Sequence, residues 1–165
     1  MAVYKIDGFG TRNQTDGSGF DGNFERREKF IQMYASETLT KGQVVCLDFD
    51  VSTYGVGNNV KLADRNATKL RQGIGVAAEG ITITGTDYKL VKIQVAGVCD
   101  AAVLDNDDDG PGQLVAPGDT AGSMTLMIEL NSSEEYQLPV GILIADTTPF
   151  SAAAAQVYLL NPLNL

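Results

Sequence analysis

The run Leu90–Val98 (LVKIQVAGV) alternates with a period of two: Val91, Ile93 and Val95 fall on one side, Lys92 and Gln94 on the other. A half-buried strand has this period, whereas a helix would scatter the same apolar residues around its circumference. Lys41–Phe49 (KGQVVCLDF) is apolar on both faces, with Val45, Leu47 and Phe49 on one side and Val44 and Cys46 on the other. Val60–Leu62, Ile81–Thr84, Val140–Ala145 and Val157–Leu160 read as shorter strands, and Tyr54–Asn59 (YGVGNN) as a turn. The chain has 165 residues, and its eighteen glycines supply the positive φ that tight turns between short strands demand. Helical signals amount to short turns at Phe24–Tyr34 and Ser151–Gln156. The expected fold is all-β: one sandwich or small barrel.

A weak internal echo supports that architecture. The segment IGVAAE from Ile74 resembles VGILIA from Val140, and the strand from Val91 resembles the one from Val157, both at an offset of 66. A glycine-led approach precedes each pair, at Lys41-Gly42-Gln43 and at Pro117-Gly118-Asp119, with a different spacing. Two copies of a strand–turn–strand unit packed together would produce this pattern, and so would chance convergence of β sequences.

Residues 1–29 read differently, as an extended N-terminal arm ahead of a β-rich domain at 30–165. The arm carries five glycines and isolated aromatics at Tyr4, Phe9, Phe20 and Phe24, with no helical or strand period. Fixing that much backbone costs more entropy than four buried aromatics return, so the arm is either disordered or ordered by contacts on another surface. Net charge is −9, and residues 1–36 hold five basic and five acidic groups, so the body carries all of it. An acidic body repels phosphates and anionic lipid, which argues against nucleic-acid and membrane partners. No apolar run reaches signal-peptide or membrane-spanning length, and synthesis in the cytoplasm is expected.

Reactive groups are scarce. The chain has no histidine, which removes the commonest general base and metal ligand. Cys46 and Cys99 sit in apolar strand-like runs, not in a C-x-x-C pair, and read as buried thiols; the sequence leaves open whether they pair. The sharpest local feature is Asp105-Asn106-Asp107-Asp108-Asp109-Gly110. Asp105, Asp107 and Asp109 match the opening of a calcium loop, but the twelfth position is Ala116 and the flanks are not helical. A hydrated turn between strands is the simpler reading, with a weak divalent site as the other. Gly17-Ser18-Gly19 and Gly55-Val56-Gly57 read as turns, and Glu134-Glu135 as a solvated hairpin tip. No catalytic residue and no cofactor is expected.

The order of segments KGQVVCLD, QGIGVAAEGI, YKLVKIQVAGVCDAAV, VAPGDTAGS, LPVGILIADTT and AAQVYLLNPL, from Leu39 to Leu160, resembles the capsid cement (head decoration) proteins of bacteriophages. The arm is longer than that pattern expects, and DNDDDGPG looks like an insertion. The resemblance implies a single β-sandwich or small, β-tulip-like β-barrel body with an extended N-terminal arm. It also implies a structural virion protein on the outer capsid surface, bound to the major capsid protein and stabilising contacts between capsomers. Family members often assemble as trimers at threefold or quasi-threefold sites, with dimers as the other arrangement. In this reading Tyr4, Phe9, Phe20 and Phe24 are the arm's capsid contacts. Two rivals are a carbohydrate-binding or host-adhesion β module of a phage tail, and a small hydrolase using carboxylates and a divalent ion. Absence of Trp weakens the first, and only the acidic loop supports the second.

Overall fold

The computed structural model describes residues 28–50, 53–67, 72–104, 111–127, 138–145 and 155–160. These residues form nine strands and no α-helix. The strands are β1 (Lys29–Ala35), β2 (Val44–Leu47), β3 (Asn59–Leu62), β4 (Gly73–Ala77), β5 (Lys89–Ala102), β6 (Leu114–Pro117), β7 (Met124–Leu126), β8 (Gly141–Ala145) and β9 (Ala155–Leu160). Their order is β1-β3-β2-β4-β5-β9-β8-β6-β7, and β1 also pairs with β5. That last pairing closes β1, β3, β2, β4 and β5 into a five-stranded barrel, so the expected all-β fold is a barrel.

The barrel follows from the sequence strand by strand. On β5, Val91, Ile93 and Val95 point inward and are buried, as the alternation predicts. Lys92 points outward, its ammonium 4.0 Å above the ring of Phe30. Gln94 also points outward yet is buried, with Nε2 donating to the carbonyl of Val98 at 2.8 Å. β2 is buried on both faces: Val45 enters the barrel interior, while Val44 and Cys46 join a second core outside it. A five-stranded barrel is narrow, and Gly75 on β4 is the adaptation. A Cβ there would strike the carbonyl oxygen of Gln94 and lie 2.9 Å from Cγ2 of Ile93.

The remaining strands repeat the same plan. β6 pairs antiparallel with β7 and β8, and β8 with β9, as β2 pairs with β3 and β4, and β4 with β5. The second half of β5 plays the part of β1: it runs antiparallel to β9, and just beyond it Leu104 makes a parallel bridge to Met124, as Ala35 does to Val60. Ala96 marks the handover, pairing with Lys29 of β1 and with Leu160 of β9. Gly97, at φ 86, lets the long strand change course there. The echo is therefore a structural repeat. Gly141 matches Gly75 at the offset of 66, and a Cβ on it would strike Val157 Cγ1 and the carbonyl of Tyr158.

Several expectations need correction. The second glycine-led approach is Pro111-Gly112-Gln113, not Pro117-Gly118-Asp119. Gly42 and Gly112, at φ 92 and 100, donate N–H bonds to Ala77 and Leu143, and those residues donate back to Gln43 and Gln113. Within Phe24–Tyr34 the described part from Lys29 is strand, because Phe30, Gln32 and Tyr34 lie outward while Ile31 and Met33 pack inward. Ala155 and Gln156 open β9 and are not part of a helical turn. Ile81–Thr84 contributes only a bridge between Ile81 and Leu39. Phe49 leaves the core and is 60% exposed, because β2 ends at Leu47 and the chain turns at Asp48. β1 begins at Lys29, the residue where the expected arm ends.

Candidate functional site

The expected capsid contacts Tyr4, Phe9, Phe20 and Phe24 lie outside the described residues, as do Asp105, Asp107 and Asp109. Among the described residues no group of three or more His, Cys, Asp or Glu gathers as a metal site. No helix among them is long and apolar enough to cross a membrane.

Nine large apolar side chains are 37–66% exposed, and pairing sorts them onto two surfaces. The first lies at the β2–β3 hairpin of the first barrel. Its loop carries Phe49, Tyr54 and Val56, of which Val56 is 66% exposed. The ring of Tyr54 stacks on Tyr34 at 3.8 Å and 10°, and Tyr88 meets Tyr54 edge-on at 5.8 Å. Tyr34 in turn pairs across the ladder with exposed Leu90. Tyr54 holds φ at 64, a region that a bulky residue seldom occupies. Two amides brace it: Asn58 Nδ2 donates to the Tyr54 carbonyl at 2.8 Å, and Asn59 Nδ2 to that of Thr53 at 2.7 Å. At the base of the loop, buried Asp48 accepts from Ser36 Oγ at 3.0 Å and pairs with Lys61 at 3.4 Å.

The second surface is the outer face of the second set of strands. Leu114 pairs with Ile142 and Ile142 with Tyr158, giving one apolar ladder across three strands. Ile144 and Leu160 extend it along β8 and β9, and exposed Leu138 leads into β8. In the first barrel the matching ladder is Val44–Val76–Gln94. There the three residues are 0%, 1% and 7% exposed, because Val44 and Val76 pack with Val115, Leu143 and Val157 of the second set of strands.

Sequence reasoning missed both surfaces. The YGVGNN turn was a usable signal, since an aromatic in a glycine-rich turn has little core to enter. The second surface left none, because Val44 and Leu114 look alike in sequence and only the neighbouring barrel separates them.

The thiols offer little chemistry. Cys46 and Cys99 are both buried, and burial pushes the Cys46 thiol up to about 12, with nearby Lys61 pulling the other way. The Arg65 guanidinium, hydrogen-bonded to Asp119, holds that carboxyl below its usual range and clips the β6–β7 loop to the segment after β3. The geometry offers contact surfaces. No protein-family model matches the chain, nor does any curated protein or solved structure.

Proposed function

We propose that this chain is a structural virion protein that binds the outer surface of a phage capsid, contacts the major capsid protein and stabilises neighbouring capsomers. The observation carrying this reading is that nine exposed apolar side chains fall on two surfaces, one on the five-stranded barrel and one on the strands that continue its sheet. Exposed apolar patches rimmed by polar residues mark interaction sites, and a block with two of them can hold two neighbours at once. The −9 charge supports an exterior position, away from packaged DNA. The arm adds Tyr4, Phe9, Phe20 and Phe24 as anchors, and several arms on a repeating lattice multiply a modest affinity through effective concentration. Cosedimentation of the full chain with empty phage heads tests the reading. Binding to expanded heads in preference to unexpanded ones is expected, and changing the four arm aromatics to Ser should sharply weaken it. Absence of binding to expanded heads would overturn the proposal.

The Tyr34–Tyr54–Tyr88 cluster favours a second reading, a carbohydrate-binding or host-adhesion module of a phage tail. Partly exposed tyrosine rings are the groups on which sugar faces stack. Glycan-array binding that Tyr54→Ala abolishes, without binding to heads, would favour it.

A further inference from the structure

The wall of the five-stranded barrel is closed unevenly along β1. On one side β1 pairs with β5 from Lys29 to Ala35. On the other it meets β3 at two positions, Tyr34 with Asn59 and Ala35 with Val60. There Tyr34 N–H and Ser36 N–H donate to the carbonyls of Asn58 and Val60, at 3.0 and 3.1 Å. Backbone groups alternate in direction along a strand, so those of Phe30 and Gln32 point to the same side as those of Tyr34. Beside Phe30 and Gln32, no strand or loop among the described residues supplies a backbone partner. Gln32 is exposed, and Ile31 on the inward face is only partly buried, while Met33 further along that face is buried.

Elsewhere the chain stops such edges with a carboxylate. At the other end of the same seam, past the last β1–β3 pair, Leu62 N–H donates to Glu37 Oε1 at 2.5 Å. On β5, past the end of β4, Lys92 N–H donates to Glu79 Oε1 at 3.0 Å. Among the described residues the Phe30–Gln32 edge has neither a strand nor a carboxylate against it. An open edge is a template for pairing with another chain, and folds that stay single blunt theirs.

We infer that this edge pairs with the same edge of a second copy, antiparallel, about a two-fold axis through Ile31. Phe30 of one copy then lies opposite Gln32 of the other. Each such pair exchanges both N–H···O bonds, and the two Ile31 residues form the non-hydrogen-bonded pair between them. Parity identifies the occupant: Phe30 and Gln32 both face the gap, so the edge is its own complement, and a self-complementary contact closes at two copies. Length agrees. Pairing runs from Lys29 opposite Met33 to Met33 opposite Lys29, and stops where β3 already holds Tyr34. At that stop stands the loop whose Tyr54 ring stacks on Tyr34; its exposed Tyr54 and Val56 border the incoming strand and gain cover from it. The inference stands apart from the capsid reading, since it concerns the isolated protein and can fail while that reading holds.

Sedimentation of the full chain over a concentration series, together with thiol crosslinking, tests it. The wild type is expected as a species of twice its 17.5 kDa chain mass. Gln32→Pro removes an edge N–H at a position where an unpaired edge tolerates proline. It should associate at least tenfold more weakly, with unchanged circular dichroism and melting. Ile31→Cys sets two thiols on the axis with Cα atoms about 4.5 Å apart, within reach of a disulfide. Mild oxidation should therefore give a covalent dimer, while Lys92→Cys, exposed on the neighbouring strand, should give none. If Gln32→Pro melts below wild type, the Ile31→Cys crosslink decides alone. A wild type that stays a single chain throughout the series, trimers as the sole assembly, a folded Gln32→Pro that associates like wild type, or a folded Ile31→Cys that does not crosslink would each overturn the inference.

Discussion

Substituting Gly75 and Gly141 by alanine probes the repeated barrel plan directly. In each barrel the added methyl meets a backbone carbonyl oxygen, of Gln94 or of Tyr158, together with a branched methyl group of Ile93 or Val157. Adding a methylene to a packed core costs about 1–3 kcal/mol. A backbone obstacle cannot rotate away, which puts both sites near the top of that range. Alanine restricts the unfolded chain and returns about 0.4–1 kcal/mol, leaving a net loss of about 2 kcal/mol. For a chain of this size about 1 kcal/mol moves Tm by roughly 2–4 °C, so each variant should melt roughly 4–8 °C below wild type. Gly85→Ala is the control: its Cβ would meet nothing within 4 Å, and only its φ of 71 opposes the change, at about 1–2 kcal/mol. Urea titration with unchanged m-values gives the three differences. If Gly141→Ala lies within about 0.5 kcal/mol of wild type, the second set of strands does not close on itself as tightly as the first, and the reasoning fails.

The two cores should melt together, because β5 runs through both: Ile93→Ala and Leu143→Ala, both 0% exposed, should each cost about 2–5 kcal/mol in one transition, and separate steps by circular dichroism and tyrosine fluorescence would refute this. Native protein at pH 8 should react with a thiol-specific disulfide reagent only on unfolding. The Cys46 thiol ionises near 9.0 when free and about 12 when buried, so the unfolded state loses its proton first and stability should fall as pH rises above about 9; a flat profile between pH 9 and 11 would count against it. Asp119 has a depressed pKa, so its contribution is present at neutral pH and lost as pH falls through and below 3.8. Because its side chain is 54% exposed, Asp119→Asn should cost at most about 1 kcal/mol at pH 7 and less as the pH is lowered below 3.8, and a cost that does not change with pH would refute the Arg65 pairing.

The parts of the fold legible in the sequence are the strands whose two faces differ or whose apolar run is unbroken. β5 announces itself because Val91, Ile93 and Val95 fill a barrel while Lys92 meets water, and β2, β8 and β9 are found from their apolar runs. β1 is hidden because its outward face carries Phe30 and Tyr34, which erase the alternation. β6 and β7 are hidden by length, at four and three residues, and β6 ends in a proline. The repeat was half legible for a related reason. An offset of 66 aligns Gly75 with Gly141, but the pairings place Val45 against Val115 and Val60 against Met124, offsets of 70 and 64. Loops of different length shift each strand pair separately, so comparison at one offset finds only part of the set. Of the candidate site, the exposed turn had a sequence signal and the ladder had none.

The arrangement of the barrels explains why one ladder is covered and its copy is not. Were the two related by a two-fold axis, equivalent residues would have equivalent surroundings, and Val44 and Leu114 would be buried alike. Instead Val44 is fully buried and Leu114 is 41% exposed. The shared strand requires this: the first half of β5 is the last strand of one barrel, and its second half is the first strand of the next. Such a join lays the core of the second set of strands, with Val115, Leu143 and Val157, against Val44 and Val76 of the barrel. Leu114, at the place that Val44 holds in the barrel, has no further set of strands behind it among the described residues, and its side chain stays in solvent.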